Sequence, residues 1–247
     1  MHHSDYISDE AKDIEEFTFY NDIFYTIYHM LNDKNGPVQH YSTYENLVNY
    51  LIQKYGPVPA DYFDENWNQN WKQNSRTSEG LEIHHIDEDK YLFLSDRASC
   101  ERQNVPFECQ RAERLVYCNK IEHLLLHIRI AEDFHADDLQ TYYKFGIKTL
   151  ISKINDYYEF DELPGDWRNG MITAINNLMA DYIVLLIYIS THLIYDNNML
   201  FDNIENIVIS SREGQHCTHI INAFNGITTI LNKRYDIEYR YLTDVFK

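Results

Sequence analysis

The chain has few of the residues that build tight turns: 8 glycines and 5 prolines in 247 residues. That scarcity argues against a sandwich or barrel, which needs many tight connections. Positive charge is also short, with 21 Lys and Arg against 39 Asp and Glu, a formal net charge of −18. Such a balance favours solubility and gives no general attraction to membranes or nucleic acid. It is awkward for a protein acting on DNA, where phosphate contacts normally supply affinity. The cysteines Cys100, Cys109, Cys118 and Cys217 include no C-x-x-C pair, and the nine-residue spacing of the first three fits no usual zinc pattern. They are expected to be ordinary buried or half-exposed thiols. The opening Met1-His2-His3-Ser4-Asp5 carries no secretory pattern, so a cytoplasmic location is expected. Long apolar runs are missing too. The most apolar stretch, Tyr182–Ile189, has eight residues, whereas crossing a bilayer takes roughly twenty. It is expected to be a central, buried helix segment, and no membrane partner is expected.

What is present is aromatic mass and helical periodicity. Twenty-one Tyr and 12 Phe can fill a core. Asp9 to Leu31 has approximately helical apolar spacing, ended by Asp33-Lys34-Asn35-Gly36-Pro37. Ser42 with Glu45 reads as a capping box opening a helix that runs to Gly56-Pro57. Asp61 to Ser78 is polar, with Trp67 and Trp71 four apart. Leu81 to Ile86 reads as a strand, and Tyr91-Leu92-Phe93-Leu94 as either its antiparallel partner or a short helix. Ser95 to Gln110 is a polar connection. Residues 112–134 begin extended at Leu115-Val116-Tyr117 and continue as a helix. Asp137 to Tyr158, Trp167 to Tyr195, and Thr218 to Lys233 read as further helices. The expected class is α+β, predominantly α-helical, in three regions: a helical N-terminal region (1–79), a small mixed module (80–134) and a helical C-terminal region (135–247).

Two histidine pairs carry the chemistry. Glu82-Ile83-His84-His85 lies on the expected strand, and Glu122-His123-Leu124-Leu125-Leu126-His127 on the expected helix. His123 and His127 are four apart, so on a helix they share one face, a turn apart. Successive strand residues face opposite ways, so His84 can join them while His85 points elsewhere. Three imidazole ligands with a fourth imidazole beside them form an incomplete shell next to a general base, which suits chemistry better than a structural clip. Glu82 shares a strand face with His84 and is expected to join the catalytic machinery by orienting a ligand or substrate group. His216-Cys217-Thr218-His219 has H-x-x-H spacing with nothing nearby to complete a site. His135 is expected to be merely exposed. Among the aromatic residues, Tyr62, Trp67 and Trp71 are minor candidates for base stacking.

These motifs, with the Arg114-Leu115-Val116-Tyr117 lead-in, resemble the HNH, or ββα-metal, endonucleases, in the branch with a double histidine on the strand and H-x-x-x-H on the helix. The resemblance covers residues 80–130, roughly a fifth of the chain. It implies one divalent metal ion (Mg²⁺, Mn²⁺, Ni²⁺ or Zn²⁺) on His84, His123 and His127, and His85 as general base. It further implies metal-dependent hydrolysis of DNA phosphodiester bonds in a phage, defence or mobile-element setting. Arg114 stands where the family has Asn, so a catalytic part for Arg114, holding the base-bearing loop or the scissile phosphate, is expected in its place. Arg97, Arg102, Arg111, Lys120 and Arg129 crowd the module and are the expected DNA contacts. Glutamates dilute this patch, so binding should be weak and salt-sensitive unless a protein partner, recruited through the acidic helical flanks, contributes. The contrasting expectation is a catalytically weakened HNH scaffold whose acidic surface occupies the groove of a nucleic-acid-binding protein.

Overall fold

The computed structural model describes residues 43–134, 146–159 and 166–189. The helices expected over Asp9–Leu31 and Thr218–Lys233, together with His135, His216, Cys217 and His219, lie outside them. Among the described residues the fold is mostly helical, with one two-stranded antiparallel sheet.

Helix α1 spans Tyr44–Tyr55. Its cap is Thr43 and not Ser42: the Thr43 backbone is extended, and its Oγ1 accepts from the Asn46 amide at 3.2 Å. The helix ends at Gly56, whose φ of +80° suits a residue without a Cβ. α1 buries Tyr44, Leu47, Val48 and Leu51. A short helix α2, Trp71–Asn74, and a tight turn at Thr77–Glu79 lead to Gly80. There the chain meets the later helix α6 (Asp166–Ile175) backbone to backbone. A Cβ on Gly170 would lie 2.2 Å from the Thr77 carbonyl oxygen, and one on Gly80 2.2 Å from Ala174 Cβ. Strand β1, Glu82–His85, begins immediately after this contact.

The partner of β1 is not Tyr91–Leu94 but β2, Leu115–Cys118, in the register Glu82↔Cys118, Ile83↔Tyr117, His84↔Val116, His85↔Leu115. The acidic run Asp87-Glu88-Asp89 turns the chain away through a single helical turn at Ile86–Asp89, so no tight hairpin forms. Leu94 instead packs with Cys100, Val105 and Cys109 in a small satellite core. The polar connection contains helix α3, Arg97–Gln103, capped by Asp96 through the Ser99 amide at 2.9 Å.

β2 alternates its contacts. Val116 and Cys118 enter the main core, while Leu115 and Tyr117 pack with Val58 and Leu81. Asn119 then starts α4, Lys120–Phe134, with a reciprocal cap. Its Oδ1 accepts from the Ile121 and Glu122 amides, both at 2.9 Å, and Glu122 Oε2 accepts from the Asn119 amide at 2.8 Å. Glu122 also receives Lys54 Nζ at 2.6 Å and Tyr55 Oη at 3.0 Å, tying α4 to the end of α1. α4 is the central element. Helices α5 (Lys148–Glu159), α6 and α7 (Met179–Tyr188) pack around it with α1. The apolar run read as a buried segment lies mainly on α7, with Tyr182, Ile183, Leu185, Leu186 and Ile189 all buried. One continuous core joins α1, β2, α4 and α5–α7, so residues from all three expected regions share it. Among the described residues no helix is long and apolar enough to cross a membrane.

Candidate metal centre

Antiparallel pairing of β1 with β2, followed directly by α4, lays the histidines of strand and helix side by side. The ring centroids of His84 and His123 are 5.0 Å apart, those of His84 and His127 5.3 Å, and those of His123 and His127 4.9 Å. A fourth group joins them. The helical turn after β1 carries Glu88 back over the strand, four residues on from His84, and its Oε2 lies 3.2 Å from His127 Nε2 and 3.4 Å from His84 Nδ1. His123 Nε2 faces His127 Nε2 at 3.2 Å. His84, Glu88, His123 and His127 can together hold a metal ion, each offering one donor atom, all within 4.8 Å of one another.

Neighbouring groups decide which nitrogen of the His84 and His123 rings is free. The Tyr44 hydroxyl gives its single hydrogen to the Ile86 carbonyl at 2.9 Å, so its contact with His84 Nε2 at 2.8 Å can only be an accepted one. His84 therefore carries its proton on Nε2, and Nδ1 holds the lone pair. That atom is buried and makes no hydrogen bond, an expensive state for a polar group unless an ion satisfies it. Glu82 plays the matching part for His123. Burial opposes its ionisation, but buried Lys120 and His123 hold its carboxyl well below the usual range. As a carboxylate Glu82 only accepts, so His123 donates Nδ1–H to Oε1 at 2.6 Å and keeps Nε2 free. Burial lowers the pKa of His84, His85 and His123, and neutral imidazole is the ligating form. Three of the donor separations also fit a tetrahedral shell. Metal–nitrogen bonds of ~2 Å place tetrahedral donors ~3.3 Å apart, close to the 3.2–3.4 Å contacts already present.

His85 points to the other face of the sheet, where the Tyr62 ring packs edge-on at 4.5 Å and Gln110 Oε1 lies 3.0 Å from Nε2. Its Nδ1 looks back to Glu88 Oε1 at 3.9 Å. The Glu88 carboxylate thus stands between His85 and the metal-binding cluster, one oxygen toward each.

The expected cations separate into two groups. Lys120 is buried on Glu82, and Arg129 is fully buried on Glu132 at 2.5 Å. Neither can meet a DNA backbone, a correction that follows from the burial of both side chains along α4. Arg97, Arg102 and Arg111 are exposed, on Glu101, Ser99 and Asp61 respectively. Arg114 grips Asp87 with two nitrogens, at 2.7 and 2.5 Å. Of the aromatic candidates, Trp71 is exposed, Trp67 packs on Phe63 and Phe107, and Tyr62 is spent on His85.

Glu88 escaped the sequence reading because the strand was followed only to Ile86. Its signal is the His84-x-x-x-Glu88 spacing, the same i, i+4 relation as His123 and His127, visible once Ile86–Asp89 is read as helical. The three described cysteines are buried and free, outside the cluster, and burial pushes the Cys100 thiol up to about 11. No family model, no curated protein and no solved structure matches this chain.

Proposed function

We propose that the chain is a metal-dependent endonuclease of the HNH type, its strand–strand–helix unit acting as a ββα-metal centre that hydrolyses DNA phosphodiester bonds. The observation that carries this reading is the convergence of three imidazoles and a carboxylate, with the rings of His84 and His123 held in their ligating tautomers by Tyr44 and Glu82, beside a fourth buried histidine. His84 would bind a divalent ion through Nδ1, His123 and His127 through Nε2, and Glu88 through Oε2. A bound ion supplies positive charge against the negative charge that builds on the phosphate and leaving oxygens. His85, across the Glu88 carboxylate, is placed to take the proton of the attacking water. Tyr44 and Glu82 keep the ligand rings aimed. Exposed Arg97, Arg102 and Arg111 are the cations left for phosphate contact.

The test is cleavage of supercoiled plasmid by the full chain with Mg²⁺, Mn²⁺, Ni²⁺ or Zn²⁺, comparing wild type with His85→Ala. Metal-dependent nicking that drops about a hundredfold or more in the variant is the expected result. Equal rates, or no cleavage with any ion, would remove the reading.

A second reading has its own observation. Glu88 completes a four-donor shell, which around a tetrahedral ion is a closed structural clip, and the net charge is −18. In this reading the protein is a non-catalytic acidic module that occupies the basic groove of a nucleic-acid-binding protein. Metal binding without cleavage, with stoichiometric capture of one basic-grooved partner, would favour it.

A further inference from the structure

Gln110 is fully buried, and every polar atom of its carboxamide is used. Its Nε2 donates to the Leu94 carbonyl at 3.2 Å and approaches Cys100 Sγ at 3.6 Å, while its Oε1 meets His85 Nε2 at 3.0 Å. Its own carbonyl oxygen accepts from the Tyr62 amide at 2.7 Å, and the Tyr62 ring forms the adjoining wall of the His85 pocket. A carboxamide has one accepting end and one donating end. Only the nitrogen end can serve the Leu94 carbonyl, so the oxygen end must face His85, and oxygen only accepts. His85 therefore carries its proton on Nε2, and its lone pair lies on Nδ1, the atom turned toward Glu88 and the metal-binding cluster.

We propose that Gln110 is the positioning residue of the site, fixing His85 in the Nε2–H tautomer so that Nδ1 is the atom that accepts a proton. This rests on the endonuclease reading for its catalytic consequence, though not for the tautomer. Arg114, the position expected to hold the base-bearing loop, grips Asp87 on the turn after β1, two residues past His85, and does not reach the His85 ring. Four residues earlier in the chain, on the turn Phe107–Gln110, the amide reaches the ring that Arg114 does not.

The experiment has two arms on the full chain. Nitrogen-15 NMR of the histidine rings near neutral pH reads the His85 tautomer in the wild type, assigned with His85→Ala; Nε2 protonated and Nδ1 bare is expected. Finding the proton on Nδ1 would overturn the proposal, whether or not the protein cleaves DNA. The second arm compares plasmid cleavage by wild type, Gln110→Leu and Gln110→Glu. Gln110→Leu should mix the tautomers and lower kcat about ten- to a hundredfold, with KM and metal stoichiometry unchanged. Gln110→Glu, protonated on the oxygen that meets the Leu94 carbonyl, still accepts from Nε2–H on the other oxygen and should restore the tautomer and part of the rate. Wild-type kcat in Gln110→Leu would overturn the proposal, as would a loss that follows lost metal. If Gln110→Leu does not fold, the wild-type spectrum and Gln110→Glu still decide it. A wild type that never cleaves removes the endonuclease reading and leaves the tautomer result standing.

Discussion

Glu88 decides how open the centre is. With three imidazoles and this carboxylate, a tetrahedral ion has a full shell, whereas a six-coordinate ion keeps two positions for water and phosphate. Zn²⁺ is therefore expected to bind and inhibit, and Ni²⁺ or Mn²⁺ to support cleavage. Glu88→Ala should restore activity to the Zn²⁺-loaded protein by vacating one position. Cleavage rates across the metal series check this, and a Zn²⁺ form as active as the Ni²⁺ form would count against Glu88 as a ligand. Arg114 acts on the same turn from the other side of the module. Its planar fork holds buried Asp87, adjacent in the chain to Glu88. Arg114→Ala leaves Asp87 with Lys90 at 2.9 Å to balance its charge. A loss of ~1–2 kcal/mol in stability is expected, softened because Arg114 is itself partly exposed. Urea unfolding measures it. A stability unchanged by the variant, with cleavage lost, would return Arg114 to phosphate binding. Sequence shows that Arg114 must do something other than Asn; it cannot show that the partner lies 27 residues earlier.

Among the elements, β1, β2 and α4 were legible because each carries a local signal: a short apolar alternation, the Leu115-Val116-Tyr117 run, and the i, i+4 histidines. Their pairing was not. Tyr91–Leu94 looks like a strand partner in isolation, but the three acidic residues after β1 favour a helical turn, and a connection with its own satellite core separates the strands. The α1 cap lies one residue on from Ser42, since Ser42 and Thr43 are both good caps by type and backbone geometry chooses between them. The glycine contact that seats β1 was invisible in sequence, because it joins residues ninety apart. Gly170→Ala would drive a methyl into the Thr77 carbonyl, with Ser78 O also within 2.9 Å. Since the obstacle is backbone, a loss of ~1–3 kcal/mol is expected, with weaker metal affinity as β1 shifts. Thermal melts with and without Ni²⁺ measure both. A neutral substitution would mean that the two segments move apart freely.

For the molecule as a whole, the acidic balance leaves its mark on both binding and stability. The exposed arginines Arg97 and Arg111 are each engaged by a carboxylate, so DNA affinity is expected to be weak and steeply salt-dependent. One half-buried acid in the helical body is a stability liability. Burial alone raises Asp181 from the ordinary 3.8 to about 6, and its Oδ1 has no hydrogen-bond partner. The folded state thus binds this proton more tightly than the unfolded chain does. The group's contribution is fully present below about pH 4, falls as pH rises to about 6, and is level above that. Asp181→Asn, which mimics the protonated acid, should raise stability at pH 7 by on the order of 1–2 kcal/mol, and the gain should vanish at pH 4. Paired melts at the two pH values check the sign; a gain that grows on acidification would be the wrong one.

All of these scales meet in the claim that His84, Glu88, His123 and His127 bind one ion. Calorimetric titration of the metal-free full chain with Ni²⁺ tests it most directly. One site per chain is expected in wild type and in His85→Ala, and its loss in His123→Ala and His127→Ala. Unchanged stoichiometry and affinity in both of the latter variants would contradict it.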